Sequence, residues 1–325
     1  MSGTKCVYVA ALAPVVAVLL GPGNPFPREA TAAAGPVSEV PKFEVDATWP
    51  KPSVKRLILI LSLAILGSAV PAWAQLADPN EAGVAMGHVH LNVRDVEAEK
   101  NFWIAVGGTP FKRDPYIVMK FPGVLVIIGL RPPFNPPTGG SEGSVVNHIG
   151  FRVPNLAESV AKWNAAGLKV VPGRTPAQAF LYTTDNLKVE ILEDPSLTLP
   201  IAFHHIHFWV EDSASGVDSV PEIKAWYVKM FGAKPGNRGK NEAADLPGAN
   251  LSFSKSPTPV VGTQGRVLDH IGFEIKDLQA YCKKMEASGV KFDRAYHVSP
   301  LGIGGAFLTD LWGTRIELNE GMNRW

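Results

Sequence analysis

Cysteine is nearly absent: the 325-residue chain holds two, Cys6 and Cys282. Two thiols build neither a disulfide framework nor a thiolate metal site. An excess of either charge is also missing. Lys and Arg number 31 against 30 Asp and Glu, a net charge of +1, which gives no footprint for nucleic acid or an anionic membrane surface. Histidine is scarce too, with eight residues, but its placement carries most of the information. What is plentiful is apolar sequence: 46% of residues are hydrophobic and 19% charged, which excludes disorder and leaves room for two domains with cores.

The N-terminal part reads differently from the rest. "VKRLILILSLAILGSAVPAWAQ" (54–75) has a basic start at Lys55 and Arg56, an apolar run from Leu57 to Val70, and Ala72-Trp73-Ala74 before Gln75. This is the pattern of a secretory signal peptide, shorter in its apolar run than the ~20 residues a membrane span prefers. The expectation is translation starting near Val54, an atypical extension over 1–53 outside the mature protein, cleavage after Ala74, and export to a periplasmic or extracellular space. A membrane anchor is the alternative.

Beyond this segment the chain repeats itself. "GHVHLNV" (87–93), "NHIGFRV" (147–153), "HHIHFWV" (204–210) and "DHIGFEI" (269–275) each combine histidine with the apolar pattern of a half-buried strand. A helix-like stretch follows each and ends on glycine. His148 to Gly167 and His270 to Gly289 both span nineteen residues. Strand-like runs come next: "FPGVLVIIG" matches "LPGANLSFS", and "AFLYTTDNLKVEIL" matches "AFLTDLWGTRIEL". The chain therefore reads as four strand–helix–three-strand (βαβββ) modules, an α+β architecture. One such unit cannot bury its sheet alone, so modules should pair into two half-barrels with helices outside and a cavity within. The expected pairing is by sequence order, modules one and two over 85–195 and modules three and four over 201–321.

Seven of the eight histidines fall on the four first strands. Alternation puts His88 and His90 on one face, and likewise His205 and His207, whereas modules two and four carry Gly150 and Gly272 two residues after their histidine. A lone strand histidine is commonly a core residue; four at one repeated position point to a site. Glu190 in "KVEIL" and Glu317 in "RIELN" add a carboxylate between apolar neighbours, costly to bury without a cation. Combined by sequence order, the candidate ligand sets are His88, His148 and Glu190, then His205, His270 and Glu317. Two imidazoles and one carboxylate with open positions suit Fe(II) or Mn(II) first, then Zn(II) or Ni(II).

The βαβββ modules, the "NFWIAVGG" helix and the "FLTDLWGTRIEL" ending resemble the vicinal oxygen chelate superfamily over residues 85 to about 321. That superfamily includes glyoxalases, bleomycin-resistance proteins and extradiol ring-cleaving dioxygenases. The resemblance implies one divalent metal inside each paired half-barrel, and a small-molecule substrate bound through adjacent oxygens. Glyoxalases of the family use a fourth protein ligand from the odd module's last strand, where this chain has no Asp, Glu or His. The ring-cleaving pattern His…Tyr-x-x-Asp-Pro-x-Gly…Glu is kept only in part, as His297…Phe307-Leu-Thr-Asp310-Leu-Trp-Gly313…Glu317. The expectation is a metal-dependent, extradiol dioxygenase-like enzyme, with a glyoxalase-like lyase or isomerase and a bleomycin-resistance-type binding protein as alternatives. His90, His207, His297 and Tyr182 are the candidates for moving protons. No nucleic-acid partner and no stable membrane association after signal cleavage are expected; a second copy of the chain is a candidate partner.

Overall fold

The computed structural model describes residues 76–129, 135–212 and 218–325. The expected signal segment and the extension before it lie outside the described residues.

Four modules follow one another as expected. Module one comprises β1 (Val84–Leu91), α1 (Val96–Val106), β2 (Thr109–Arg113), β3 (Tyr116–Phe121) and β4 (Val124–Ile128). Module two is β5 (Val146–Val153), α2 (Leu156–Ala165), β6 (Val170–Pro172), β7 (Gln178–Tyr182) and β8 (Lys188–Glu193). Module three is β9 (Ala202–Val210), α3 (Ser219–Phe231), β10 (Lys234–Arg238), β11 (Asn241–Leu246) and β12 (Ala249–Lys255). Module four is β13 (Leu268–Ile275), α4 (Leu278–Ala287), β14 (Arg294–Val298), β15 (Gly304–Thr309) and β16 (Arg315–Glu320).

Local chemistry sets the helix ends. Asp95, Asn155, Asp218 and Asp277 cap the four helices by accepting from Ala98, Glu158, Val220 and Ala280 amides. α3 stops where Gly232 takes a φ of 64°, a left-handed conformation open to glycine. Its buried residues Val220, Ile223, Tyr227 and Phe231 recur at helical spacing and form the stripe that meets the sheet.

The modules do not pair in sequence order. One eight-stranded sheet runs β14-β15-β16-β13-β1-β4-β3-β2, joining module four to module one, and the other runs β10-β11-β12-β9-β5-β8-β7-β6, joining module three to module two. Each junction is antiparallel, first strand against first strand: β1 against β13 and β5 against β9. The half-barrels are therefore nested, the inner pair contiguous in the chain and the outer pair closed from its two ends. Consecutive modules meet instead through the shared core. Phe121 of module one packs on Phe151 of module two at 4.9 Å, and Phe231 of module three on Phe273 of module four at 4.7 Å. Arg94 pairs with the buried Asp185, and the Tyr227 hydroxyl donates to Asp310 at 2.9 Å. Burying these aromatics in one continuous core ties the two sheets together.

Candidate metal centres

The swapped pairing recombines the two expected ligand sets. His88 and His148 belong to different sheets, as do His205 and His270. The first centre joins His88 on β1, His270 on β13 and Glu317 on β16; the second joins His205 on β9 with His148 and Glu190 on β5 and β8. Every residue expected at a centre is at one, but each histidine of modules one and three is matched to the other even module.

At the first centre, Glu317 Oε2 lies 2.9 Å from His270 Nε2 and 3.3 Å from His88 Nε2. Ligand atoms of the three residues all fall within 4.8 Å of one another. Donors about 2.0–2.2 Å from a shared ion lie roughly 3 Å apart, so this convergence fits a divalent metal. Asp269 Oδ1 is 2.7 Å from His270 Nδ1, which holds the proton there and turns Nε2 inward, the tautomer a metal ligand needs. Burial alone would raise the Glu317 carboxyl, but its contacts with His270 and His88 outweigh burial and hold it well below the usual carboxylate range. An ionised carboxylate therefore waits among imidazole nitrogens.

Register explains why the second residue after each even-module histidine is glycine. His88 faces Gly272 across the β1–β13 junction, and His205 faces Gly150 across β5–β9. A Cβ on Gly272 would fall 2.0 Å from His88 Cε1, and one on Gly150 equally close to His205 Cε1. The gap beside each even-module histidine is where the partner module's ligand sits.

A cavity of about 180 Å³ opens beside the first centre. Glu317 and His90 line it together with His297, Tyr116, Phe307 and Arg294. His90 stacks on His270 at 4.7 Å and meets the edge of Tyr116 at 5.2 Å. His297, expected as a proton carrier, thus stands on the wall of this cavity. The place where a fourth carboxylate ligand would come from is apolar: β4 brings Leu125 opposite His88 and Ile127 opposite His90.

The second centre is similar in its imidazoles and different around them. Glu190 Oε2 is 2.8 Å from His205 Nε2 and 3.3 Å from His148 Nε2. Asn147 Oδ1 holds His148 Nδ1 at 2.8 Å, the position Asp269 takes at the first centre. His207, the expected proton carrier, puts Nδ1 3.2 Å from His148 Nε2 and Nε2 2.8 Å from Ser254 Oγ. Burial and the neighbouring cations and imidazoles push the His205 imidazole down to about 3 and that of His207 to about 2, so both are neutral at pH 7. Burial works against Glu190, but hydrogen bonds from His148 and His205 keep it strongly depressed.

Two residues absent from the sequence reading complete this centre. The Gln178 side-chain amide donates to Glu190 Oε1, and Arg238 Nη1 approaches Glu190 Oε2 at 3.7 Å. Gln178 precedes "AFLY" as Gly305 precedes "AFLT", and Arg238 stands eight residues before "LPG" as Arg113 does before "FPG"; repeat alignment gave a signal for both. Tyr182 lies opposite Lys188, beyond Phe180, and among the described residues its hydroxyl makes no hydrogen bond to the centre. Phe180 is the ring that meets His148, at 6.3 Å.

Residues 202–318 match the family Glyoxalase/Bleomycin resistance protein/Dioxygenase superfamily. The matched segment, which spans modules three and four, is similar to that superfamily. Glyoxalase I from Zea mays has a similar structure, with a TM-score of 0.59 at 14% identity, over 74% of this chain and 94% of that one. A candidate dioxygenase from Bacillus subtilis subsp. subtilis str. 168 gives 0.51 at 13% identity, over 76% and 86%. At such identities the likeness is one of fold. No curated protein matches the sequence. The fold shared with these structures is thus the frame in which both centres sit.

Proposed function

We propose that the protein is a metal-dependent enzyme whose first centre opens small aromatic diols, in the manner of extradiol dioxygenases. One observation carries the reading. Glu317, His88 and His270 converge beside a cavity whose opposite strand offers Ile127, not a carboxylate, so the donor set is two imidazoles and one carboxylate. Such a set leaves adjacent positions open, as oxygen-activating iron sites do. A bound divalent ion would supply Lewis acidity toward two neighbouring substrate oxygens and a meeting place for dioxygen.

The chain's own groups suit the remaining tasks. Tyr116, Phe307 and Ile127 give flat, apolar walls to an aromatic ring. His90 and His297 stand on the same cavity, where an imidazole can take a proton from a bound hydroxyl and return it later. Arg294 offers a guanidinium to an anionic substituent on the substrate.

The test is reconstitution of purified protein with Fe(II) or Mn(II) under anaerobic conditions, then addition of catechols in oxygenated buffer. Equimolar uptake of oxygen and catechol, with loss in Glu317→Gln, is expected. Turnover of methylglyoxal–thiol adducts without oxygen uptake would instead assign lyase chemistry to the site.

Export belongs to the same proposal. A signal segment ending at Ala74 places the mature start at Gln75, and N-terminal sequencing of the native protein checks it. A start within residues 1–53 would overturn it.

A further inference from the structure

The two centres share a ligand geometry, yet one of them already contains a cation. Arg238 enters the second centre from β10, at the sheet edge. Its Nη1 lies 3.7 Å from Glu190 Oε2 and its Nη2 3.4 Å from His207 Nδ1. Nε donates to Ser252 Oγ at 2.6 Å, and Ser252 donates on to Asn250 Oδ1 at 2.6 Å, so the guanidinium is held in place. Glu190 spends its other oxygen on Gln178.

At the first centre the other oxygen of Glu317 likewise accepts from a side-chain amide, that of Asn319 at 3.1 Å, so the difference between the centres lies in the arginine. Arg113, the repeat counterpart of Arg238, turns to the rings of Phe111 and Trp325, with its guanidinium 5.5 Å from the Trp325 ring. Ile127 replaces Ser252, leaving no hydroxyl to draw an arginine inward. Gly305 replaces Gln178, and beside it the cavity reaches Glu317. The Glu317 side chain is 18% exposed where that of Glu190 is 6%.

We propose that the second centre is built to exclude metal: the Arg238 guanidinium stands beside the carboxylate an ion would need, and the chain binds one divalent ion, at the first centre. Physically, a fixed positive charge within a few ångströms repels a second cation in a poorly screened site. It also neutralises the carboxylate that would attract the ion. The second half-barrel then keeps its imidazoles as a hydrogen-bonded cluster that joins β5, β8 and β9. This inference rests on the first centre being a metal site.

The experiment is a stoichiometric titration of the chelator-treated full chain with Mn(II) alone, reading free Mn(II) by electron paramagnetic resonance. Wild type should bind one equivalent, Glu317→Gln none, and Glu190→Gln still one. Arg238→Ala should bind two, the second lost in Arg238→Ala/Glu190→Gln. Thermal melts of each variant identify those that fail to fold, and Arg238→Lys, which keeps the charge, should stay at one. Two equivalents in wild type, or one in a folded Arg238→Ala, would overturn the exclusion by Arg238. No binding in wild type, with one equivalent gained in Arg238→Ala, would instead remove the first centre and leave the role of Arg238 standing.

Discussion

The imidazole of His88 lies over Gly272, in the space a side chain there would need. A Cβ on that glycine would come 2.0 Å from His88 Cε1 and 2.1 Å from Nδ1. Gly272→Ala therefore displaces a ligand from the first centre. The expected outcome is loss of Mn(II) binding, with a stability cost of about 1–3 kcal/mol from overpacking. Gly150→Ala strikes His205 in the same way and should show the stability cost while Mn(II) binding persists. Titration and thermal melting of the two variants check both. Retained binding in Gly272→Ala would contradict the site.

Asp269 acts on the first centre through His270. Its Oδ1 fixes the proton on His270 Nδ1, and Oδ2 accepts from the Gly265 amide at 2.7 Å. Module two carries Asn147 at this position, so the fold accepts an amide there. Asp269→Asn removes the negative charge that makes the imidazole a better donor. Mn(II) affinity should fall about 10–100-fold, the usual cost of losing an outer partner. Unchanged affinity would deny Asp269 that role.

His90 and His297 both border the cavity, on β1 and β14. Replacing each by Phe keeps a ring of similar size and removes the proton carrier. Whichever of the two moves protons should lose on the order of 10²–10⁴-fold in kcat with metal content unchanged. Metal analysis beside oxygen-uptake kinetics separates this from loss of the ion. Full activity in both variants would leave proton transfer to another group.

Stability should also depend on pH through Glu99. This side chain is buried in α1, accepts from Trp103 Nε1 at 2.9 Å, and burial pushes its carboxyl up from 4.5 to about 7. A carboxyl that holds its proton more tightly when folded makes the folded state bind more protons across that window. Stability then falls as pH rises from about 4.5 to 7, by at most about 3 kcal/mol. Glu99→Gln should flatten this slope and leave the protein more stable than wild type at pH 8. Denaturant titrations at pH 5 and pH 8 read the difference, and parallel curves for variant and wild type would refute it.

Much of this was open to a reader of the chain. The fourfold His-bearing strand, the helices closing on glycine and the paired carboxylates at Glu190 and Glu317 all recur at fixed positions, and repetition separates a site from a lone buried histidine. Arg238 and Gln178 were harder to see. An arginine on an edge strand reads as a surface charge until the fold shows it turned toward Glu190, whereas Arg113 at the matching position turns away.

The sequence by itself determined what each centre is made of: an His-x-His strand against an His-x-Gly strand, with a Glu from the glycine-bearing module. That follows from period-two alternation and from the room a glycine leaves for a facing ring. Only the tertiary structure decided which modules meet. Modules two and four offer the same complement to a neighbour, so local pattern fits either partner equally. The choice falls to packing between modules, where Phe121 with Phe151 and Phe231 with Phe273 bury consecutive modules against each other and leave the first strands of modules one and four, β1 and β13, to join at the middle of the other sheet.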